Sequence, residues 1–266
     1  MQAHKNAGRF SGFADTYAAV RPVCPAIVVD ILRRYLGRAP ETVVDLGCGT
    51  GLSMLVWKDA ARRVIGVEPN DDMRAIAVAR SEGIGSIEYI KAFSDAIPLP
   101  GGSADIVACS QSFHWMEPAS TLAEVNRLLK PDGVFAAYDC DWPPACSAQV
   151  DKAYEELFAK VYRIEEGDDA YKGSFIQYPK GKHLANIKAS GYFGYAREIV
   201  FMNAEPCDAA RCVGIARSQS RLQAILAREP ELVQDEMARF KSVVDAEFAD
   251  GEKEILFCYR MRIGVK

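Results

Sequence analysis

The chain has 266 residues, 49% of them hydrophobic and 26% charged, and its 32 basic and 36 acidic residues give a net charge of −4. This composition excludes a disordered chain, a collagen and a small disulfide scaffold, and it indicates one large globular domain or a domain with an elaboration. The slightly acidic balance argues against a surface dedicated to nucleic acid or anionic membranes, because such surfaces need concentrated positive charge.

Cysteine usage and the N-terminal residues indicate the compartment. The eight cysteines form no C-x-x-C pair and are accompanied by only three histidines, a pattern that favours reduced thiols over disulfides or a zinc site. Residues 1–9 are polar, and the apolar stretch at 26–32 is interrupted by Asp30, so neither a signal peptide nor a membrane span is expected. We therefore expect a cytoplasmic protein that carries no metal.

The first half of the chain alternates between helical and strand patterns. A helical face at 27–35 ends at Gly37, and a short buried strand is predicted at 42–46. Further helices are predicted over 52–62, after the capping residue Asn70 and around 122–129, and further strands at 63–68, 87–90, 105–109 and 134–138. Strands that alternate with helices predict a parallel sheet with helices on both faces.

The second half of the chain is predicted to be mostly helical, with strands that rejoin the sheet. A helical stripe at 150–161 follows a proline pair, a strand is predicted at 195–202, and helices are predicted at 208–227 and 231–249. The alternating segment 255–265 predicts a closing strand. The expected organisation is an N-terminal cover segment and first helix (1–40), a core (41–142), a helical lid that selects the substrate (143–250) and the closing strand (251–266).

The most informative motif is a glycine-rich turn after the first strand, Asp45-Leu46-Gly47-Cys48-Gly49-Thr50-Gly51. Glycines let the backbone pass close to a ligand at the crevice where open α/β sheets bind small molecules. Asp45, placed before the turn, suits a ligand that carries a positive ammonium group. Leu52 stands where the dinucleotide fingerprint has its last glycine, which disfavours an NAD-dependent oxidoreductase but leaves it as an alternative.

A second carboxylate, Glu68, ends the next strand. A carboxylate in this place can accept two hydrogen bonds from the vicinal hydroxyls of a ribose. Pro69 and Met73 offer an apolar face for an adenine ring, although Met73 could equally be a core residue. The segment that follows the third strand contributes Phe93, Ser94 and Asp95 to the other side and edge of that ring.

Taken together, these motifs resemble the class I S-adenosylmethionine-dependent methyltransferases. The resemblance rests on the 45–51 turn, Glu68, the stretch 92–98 and Leu129-Lys130-Pro131-Asp132-Gly133, although Ala92 and Phe93 replace the family's usual glycine and acid. The segments 17–22 and 111–115 are similar to small-molecule enzymes of the trans-aconitate methyltransferase-like and ubiquinone-biosynthesis-like group. The resemblance implies a Rossmann-like, seven-stranded, mostly parallel sheet whose last strands form an antiparallel hairpin, with a helical cap from the C-terminal half.

The same resemblance implies residue roles. S-adenosylmethionine would be the cofactor, with Tyr17 and Arg21 over its methionine carboxylate and Ser110 and Gln111 closing the pocket. Its amino acid part would be held by Asp45 and the loop residues Gly47, Cys48, Gly49 and Gly51.

For catalysis, His114 is the candidate base, since it follows the fourth strand and is the only histidine near that edge of the sheet. Trp115, Tyr138, Asp141 and Arg217 are the remaining candidate substrate contacts. Arg217 and the nearby Arg221 could pair with an anionic substrate, although both could be solvated surface arginines. The sequence thus predicts methyl transfer to a small-molecule acceptor rather than to nucleic acid or at a membrane. A non-catalytic S-adenosylmethionine-binding partner protein remains a second alternative.

Overall fold

The computed structural model describes residues 20–168, 171 and 176–266. The helices are α1 (Ile27–Leu36), α2 (Asp71–Arg80), α3 (Pro118–Leu128), α4 (Ala148–Gly167), α5 (His183–Ala189), α6 (Ala209–Arg217), α7 (Ser220–Leu226) and α8 (Gln234–Glu247). The strands are β1 (Thr42–Leu46), β2 (Arg63–Val67), β3 (Ile87–Ile90), β4 (Ala104–Ser110), β5 (Leu129–Cys140), β6 (Tyr195–Cys207) and β7 (Lys253–Val265). Within these described residues, no helix combines the length and apolarity needed to cross a membrane.

The strands form one seven-stranded sheet in the order β3-β2-β1-β4-β5-β7-β6. Strands β1 to β5 pair in parallel, whereas β7 runs antiparallel to both β5 and β6. The predicted mostly parallel sheet with an antiparallel hairpin at its end is therefore confirmed. The order reverses between β1 and β4, and such a switch point opens a crevice at the carboxyl ends of the strands.

Alternation along the strands explains why helices cover both faces of the sheet. Val44 and Val107 lie in the core beneath α3 and α5, whereas their neighbours Val43 and Ile106 lie in the core beneath α1. Successive strand residues point to opposite faces, so a strand that is apolar at every position requires cover on both sides.

The cap is built on the extended ends of the last two strands. Its core joins Leu157 and Phe158 of α4 to residues of α6, α7 and α8 and to Ile255 and Phe257 of β7. Further along the same strand, Met261 and Ile263 belong to the core of the sheet. Because β7 contributes to both cores, the cap is fixed to the crevice edge of the sheet.

Two local expectations are confirmed and one is wrong. Gly37 ends α1 with a left-handed φ of 75°, and Asn70 caps α2 by accepting a hydrogen bond from the Met73 amide. The helix predicted over 52–62 does not form: the segment is a series of turns with a short 3₁₀ helix, Leu55–Trp57. Met54 and Trp57, three residues apart, are both fully buried, and a three-residue repeat suits 3₁₀ turns rather than an α-helix.

Candidate active site

A cavity of about 720 Å³ lies at the carboxyl ends of β1, β2, β4 and β5, with α4 of the cap on its other side. Most of the predicted site residues line it. They are Arg21, Gly47, Cys48, Gly49, Glu68, Pro69, Met73, Phe93, Ser94, Asp95, Ser110, Gln111, His114, Trp115, Tyr138 and Asp141. Asp45 and Gly51 lie behind the glycine loop rather than on the cavity wall, and Tyr17 is outside the described residues.

The glycine loop needs its glycines for two different reasons. Gly47, Gly49 and Gly51 all have positive φ, between 54° and 77°, which side chains rarely adopt. A Cβ on Gly47 would also lie 2.8 Å from the Ser112 Cβ, so the loop packs tightly there. A Cβ on Gly49 would meet nothing within 4 Å, because this residue borders the open cavity. The loop therefore leaves its exposed backbone to a ligand at Gly49.

Asp45 lies beneath this loop with only 1% of its surface exposed. The Ser53 hydroxyl donates a hydrogen bond to its Oδ2, whereas Oδ1 is buried and has no hydrogen-bond partner among the residues that the structure describes. Burial raises the pKa of Asp45 to about 7, against the lowering effect of the Ser53 hydrogen bond. An unpartnered, buried carboxylate oxygen is costly, and a nearby cation or N–H donor would relieve that cost.

Glu68 follows β2 and joins the loop to the adjoining helix. Its Oε2 accepts a hydrogen bond from the Gly49 amide at 2.9 Å, and its Oε1 accepts one from the Asn70 amide at 2.8 Å. Burial raises its pKa. Each carboxylate oxygen can accept a second hydrogen bond, so Glu68 can still receive a pair of vicinal hydroxyls.

Next to Glu68 in the sequence and on the loop after β3, apolar side chains contribute to the cavity wall, and they are called the apolar slot below. These are Pro69, Met73 and Phe93, and Met73 is 3% exposed, so this methionine is both a packed residue and part of the cavity wall. On the rim, the Ser94 hydroxyl is 2.9 Å from the Thr121 hydroxyl.

The backbone of Gln111 is strained at the point where β4 ends beside the cavity. Its φ of 55° is uncommon for a residue other than glycine, and such strain concentrates at functional sites. The Gln111 amide donates to the Tyr138 carbonyl oxygen at 2.8 Å, and its Nε2 lies 3.0 Å from the Cys140 sulfur. Elsewhere in the cavity wall, the Arg21 guanidinium stacks 4.8 Å above the Trp142 ring and donates a hydrogen bond to the Ser218 carbonyl oxygen.

His114 lies on a 3₁₀ turn, Phe113–Trp115, and faces a buried carboxylate. Its Nδ1 is 3.2 Å from Asp139 Oδ1, and the Tyr178 amide donates to the His114 carbonyl oxygen at 2.8 Å. Burial lowers the pKa of His114, partly opposed by Asp139. The imidazole is therefore neutral at pH 7, and with Nδ1 turned to the carboxylate, Nε2 is the nitrogen left for a ligand.

The residues predicted to contact substrate separate into two groups. Trp115, Tyr138 and Asp141 line the cavity, with Asp141 paired to Arg260 at 2.9 Å. Arg217, by contrast, is exposed and is not among the residues that line the cavity, because α6 turns Ile215 and Ala216 into the cap core. Arg221, on the next helix, lines the cavity instead.

Two polar residues of the site escape sequence reasoning. Ser53, the partner of Asp45, falls in the segment predicted to be helical. Lys180, whose Nζ lies 2.9 Å from Asp139 Oδ1, comes from an irregular stretch with no pattern to single it out. His114, Asp139 and His183 form a cluster of metal-ligating types, but the positive charges of Lys180 and Arg262 beside Asp139 disfavour a divalent cation.

The chain is similar to known methyltransferases. A family described as "Methyltransferase domain" matches residues 44–137. The "Probable S-adenosylmethionine-dependent methyltransferase CRG1" of Saccharomyces cerevisiae is 29% identical over 200 residues, 71% of this chain and 67% of that protein. The "Uncharacterized methyltransferase YcgJ" of Bacillus subtilis is 30% identical over 105 residues, 38% of this chain and 42% of that protein.

A solved structure extends the likeness in fold to nearly the whole chain. It is a protein of Anaeromyxobacter dehalogenans assigned to the type II methyltransferases, with a TM-score of 0.68 and 20% identity over 92% of this chain and 97% of that one. By sequence, this chain spans only between 42% and 67% of the length of CRG1 and YcgJ.

Proposed function

Since the chain belongs to the class I S-adenosylmethionine-dependent methyltransferases, we propose that it transfers the methyl group of S-adenosylmethionine to a small-molecule acceptor bound beneath its cap. The observation that carries the proposal is a single cavity that holds both the glycine loop with Glu68 and, towards the cap, His114. A cofactor half and an acceptor half thus share one cavity.

The residues present fit S-adenosylmethionine. The ammonium group of its methionine part would lie at the glycine loop, and Asp45, buried behind that loop with no hydrogen-bond partner at Oδ1 among the described residues, would supply the opposing negative charge. Glu68 has acceptor capacity left for the ribose hydroxyls, and the apolar slot of Pro69, Met73 and Phe93 suits the adenine ring. Arg21 lines the same cavity and is the candidate partner of the methionine carboxylate.

The protein's contribution to the reaction is mainly positioning. When bound, the cofactor supplies an electrophilic methyl group on a sulfonium, and the chain must align the acceptor and exclude water. For a hydroxyl, amine or carbon acid, neutral His114 accepts the proton at Nε2. For an acceptor that is already an anion, such as a carboxylate or thiolate, His114 orients it instead.

The cap favours a small, partly apolar acceptor. Tyr154 and Phe158 of α4 and Trp142 line the acceptor half together with Lys180 and Arg221. This wall of aromatic rings with few charges is typical of sites for small organic molecules. The cavity and the net charge of −4 support neither a nucleic acid nor a membrane as partner, and eight free thiols support a cytoplasmic location.

The experiment has two stages. Calorimetry with S-adenosylhomocysteine tests the cofactor half, and absence of binding by folded protein at millimolar ligand would refute the proposal. Transfer of isotope-labelled methyl from S-adenosylmethionine into a metabolite extract then tests the acceptor half. We expect His114→Ala to retain cofactor binding and to lose transfer to acceptors that must be deprotonated, while Lys182→Ala, an exposed change outside the cavity, retains both.

A further inference from the structure

Asp139 is the centre of the charged network behind His114. It lies at the end of β5, is 2% exposed, and its Oδ1 faces both His114 Nδ1 at 3.2 Å and Lys180 Nζ at 2.9 Å. Its Oδ2 faces Arg262 at 3.7 Å and His183 at 3.9 Å. One carboxylate oxygen is therefore shared between the candidate base and a lysine of the cap.

The charges around His114 determine its protonation. Asp139 is the negative group against it, and Lys180 and Arg21 are positive groups close enough to disfavour its charged form. Arg262 is paired separately with Glu198 at 2.8 Å, so it adds little uncompensated charge. A protonated His114 would place a third positive charge beside one buried carboxylate, which low-dielectric surroundings penalise.

The second histidine does not take over this role. His183 is fully buried, burial lowers its pKa to about 4, and its ring packs 4.8 Å from the Phe113 ring. It is therefore neutral at pH 7 and acts as a packing partner of the turn that carries His114.

We propose that Asp139 and Lys180 are positioning residues for His114: Asp139 keeps its proton on Nδ1 and leaves Nε2 basic, while Lys180, on the same carboxylate oxygen, keeps the ring neutral. The inference rests on the proposed function only for the use of that Nε2. A neutral imidazole avoids turning the lone pair of a ring nitrogen towards a carboxylate, so the 3.2 Å approach of Nδ1 to Asp139 favours the tautomer protonated on Nδ1.

The geometry also couples the cap to the base. Lys180 and the Tyr178 amide both belong to the stretch between α4 and α5, and both contact the His114 turn or its carboxylate. The cap segment that encloses the acceptor therefore also holds the base in its neutral form.

Nitrogen-15 NMR of the histidine side chains tests the inference without an acceptor. The chain has three histidines, and His4→Gln and His183→Gln assign the remaining signal to His114. We expect wild-type His114 to be the Nδ1-protonated tautomer. Lys180→Met should raise its pKa by about one to two units, the expected effect of removing a unit charge at this range. Lys182→Met, an exposed neighbour, should leave it unchanged.

An Nε2-protonated wild-type ring, or the same His114 pKa in both lysine variants, would overturn the inference. Asp139→Asn should yield a mixture of His114 tautomers. If this variant fails to fold, the comparison of Lys180→Met with Lys182→Met still tests the inference. Binding of S-adenosylhomocysteine is measured on each sample. Loss of that binding in the wild type refutes the proposed function, whereas an altered tautomer refutes only the positioning roles.

Discussion

Gly49 and Gly37 form a matched pair for testing the glycine loop. Both have positive φ, 54° and 75°, and a Cβ at either position would meet no atom of the described residues within 4 Å. Substitution by alanine should therefore lower the free energy of unfolding of both variants equally. The positive φ strains the alanine backbone, the reduced entropy of the unfolded chain offsets part of this cost, and the net loss is about 1 kcal/mol. That corresponds to a lowering of Tm by about 2–4 °C. Only Gly49 borders the cavity; Gly37 ends α1.

The two variants should separate in ligand binding. The methyl group of Gly49→Ala projects into the space assigned to the cofactor, and overpacking of this kind costs about 1–3 kcal/mol, or about 5- to 150-fold in Kd. Calorimetric titration with S-adenosylhomocysteine, paired with thermal melts, measures both effects. Gly37→Ala should melt early yet bind like the wild type. Equal affinity in the two variants would refute the placement of the cofactor against this loop.

Three further outcomes are expected. Glu68→Ala should weaken S-adenosylhomocysteine binding by about 1.5–3 kcal/mol, as loss of charged hydrogen bonds does, and wild-type affinity would contradict the ribose assignment. The raised pKa of Asp45 means that the folded, ligand-free protein binds an extra proton, so its Tm should fall as pH rises from about 4 to about 7. Asp45→Asn should flatten that slope, and an unchanged slope would exclude Asp45 as its source. Once an acceptor is identified, Arg221→Ala should raise its KM and Arg217→Ala should not; equal effects would remove Arg221 from the acceptor site.

The strands and the side of the cavity formed by the glycine turn can be predicted from the sequence because their signals are local. Runs such as Val43-Val44 and Ile106-Val107 are apolar at every position, which indicates strands buried on both faces. Parallel strands place their carboxyl ends at one edge, so the 45–51 turn and Glu68 meet there once the strand assignment is right. The composition of the segment 52–62 permits the predicted α-helix, but the helix does not form because burial of Met54 and Trp57 favours tighter turns.

The cap side of the cavity depends on contacts between distant parts of the chain. Lys180 of the cap pairs with Asp139 at the end of β5, and Arg221 rather than Arg217 lines the cavity because of how α6 packs in the cap. The residue pattern of a single segment cannot predict these contacts, because they arise when the cap packs on β7. Local pattern and strand direction are enough to predict the sheet, the glycine turn and the carboxylates at the strand ends. The charges that surround His114 depend on the packing of the cap, so they become visible only in the folded chain.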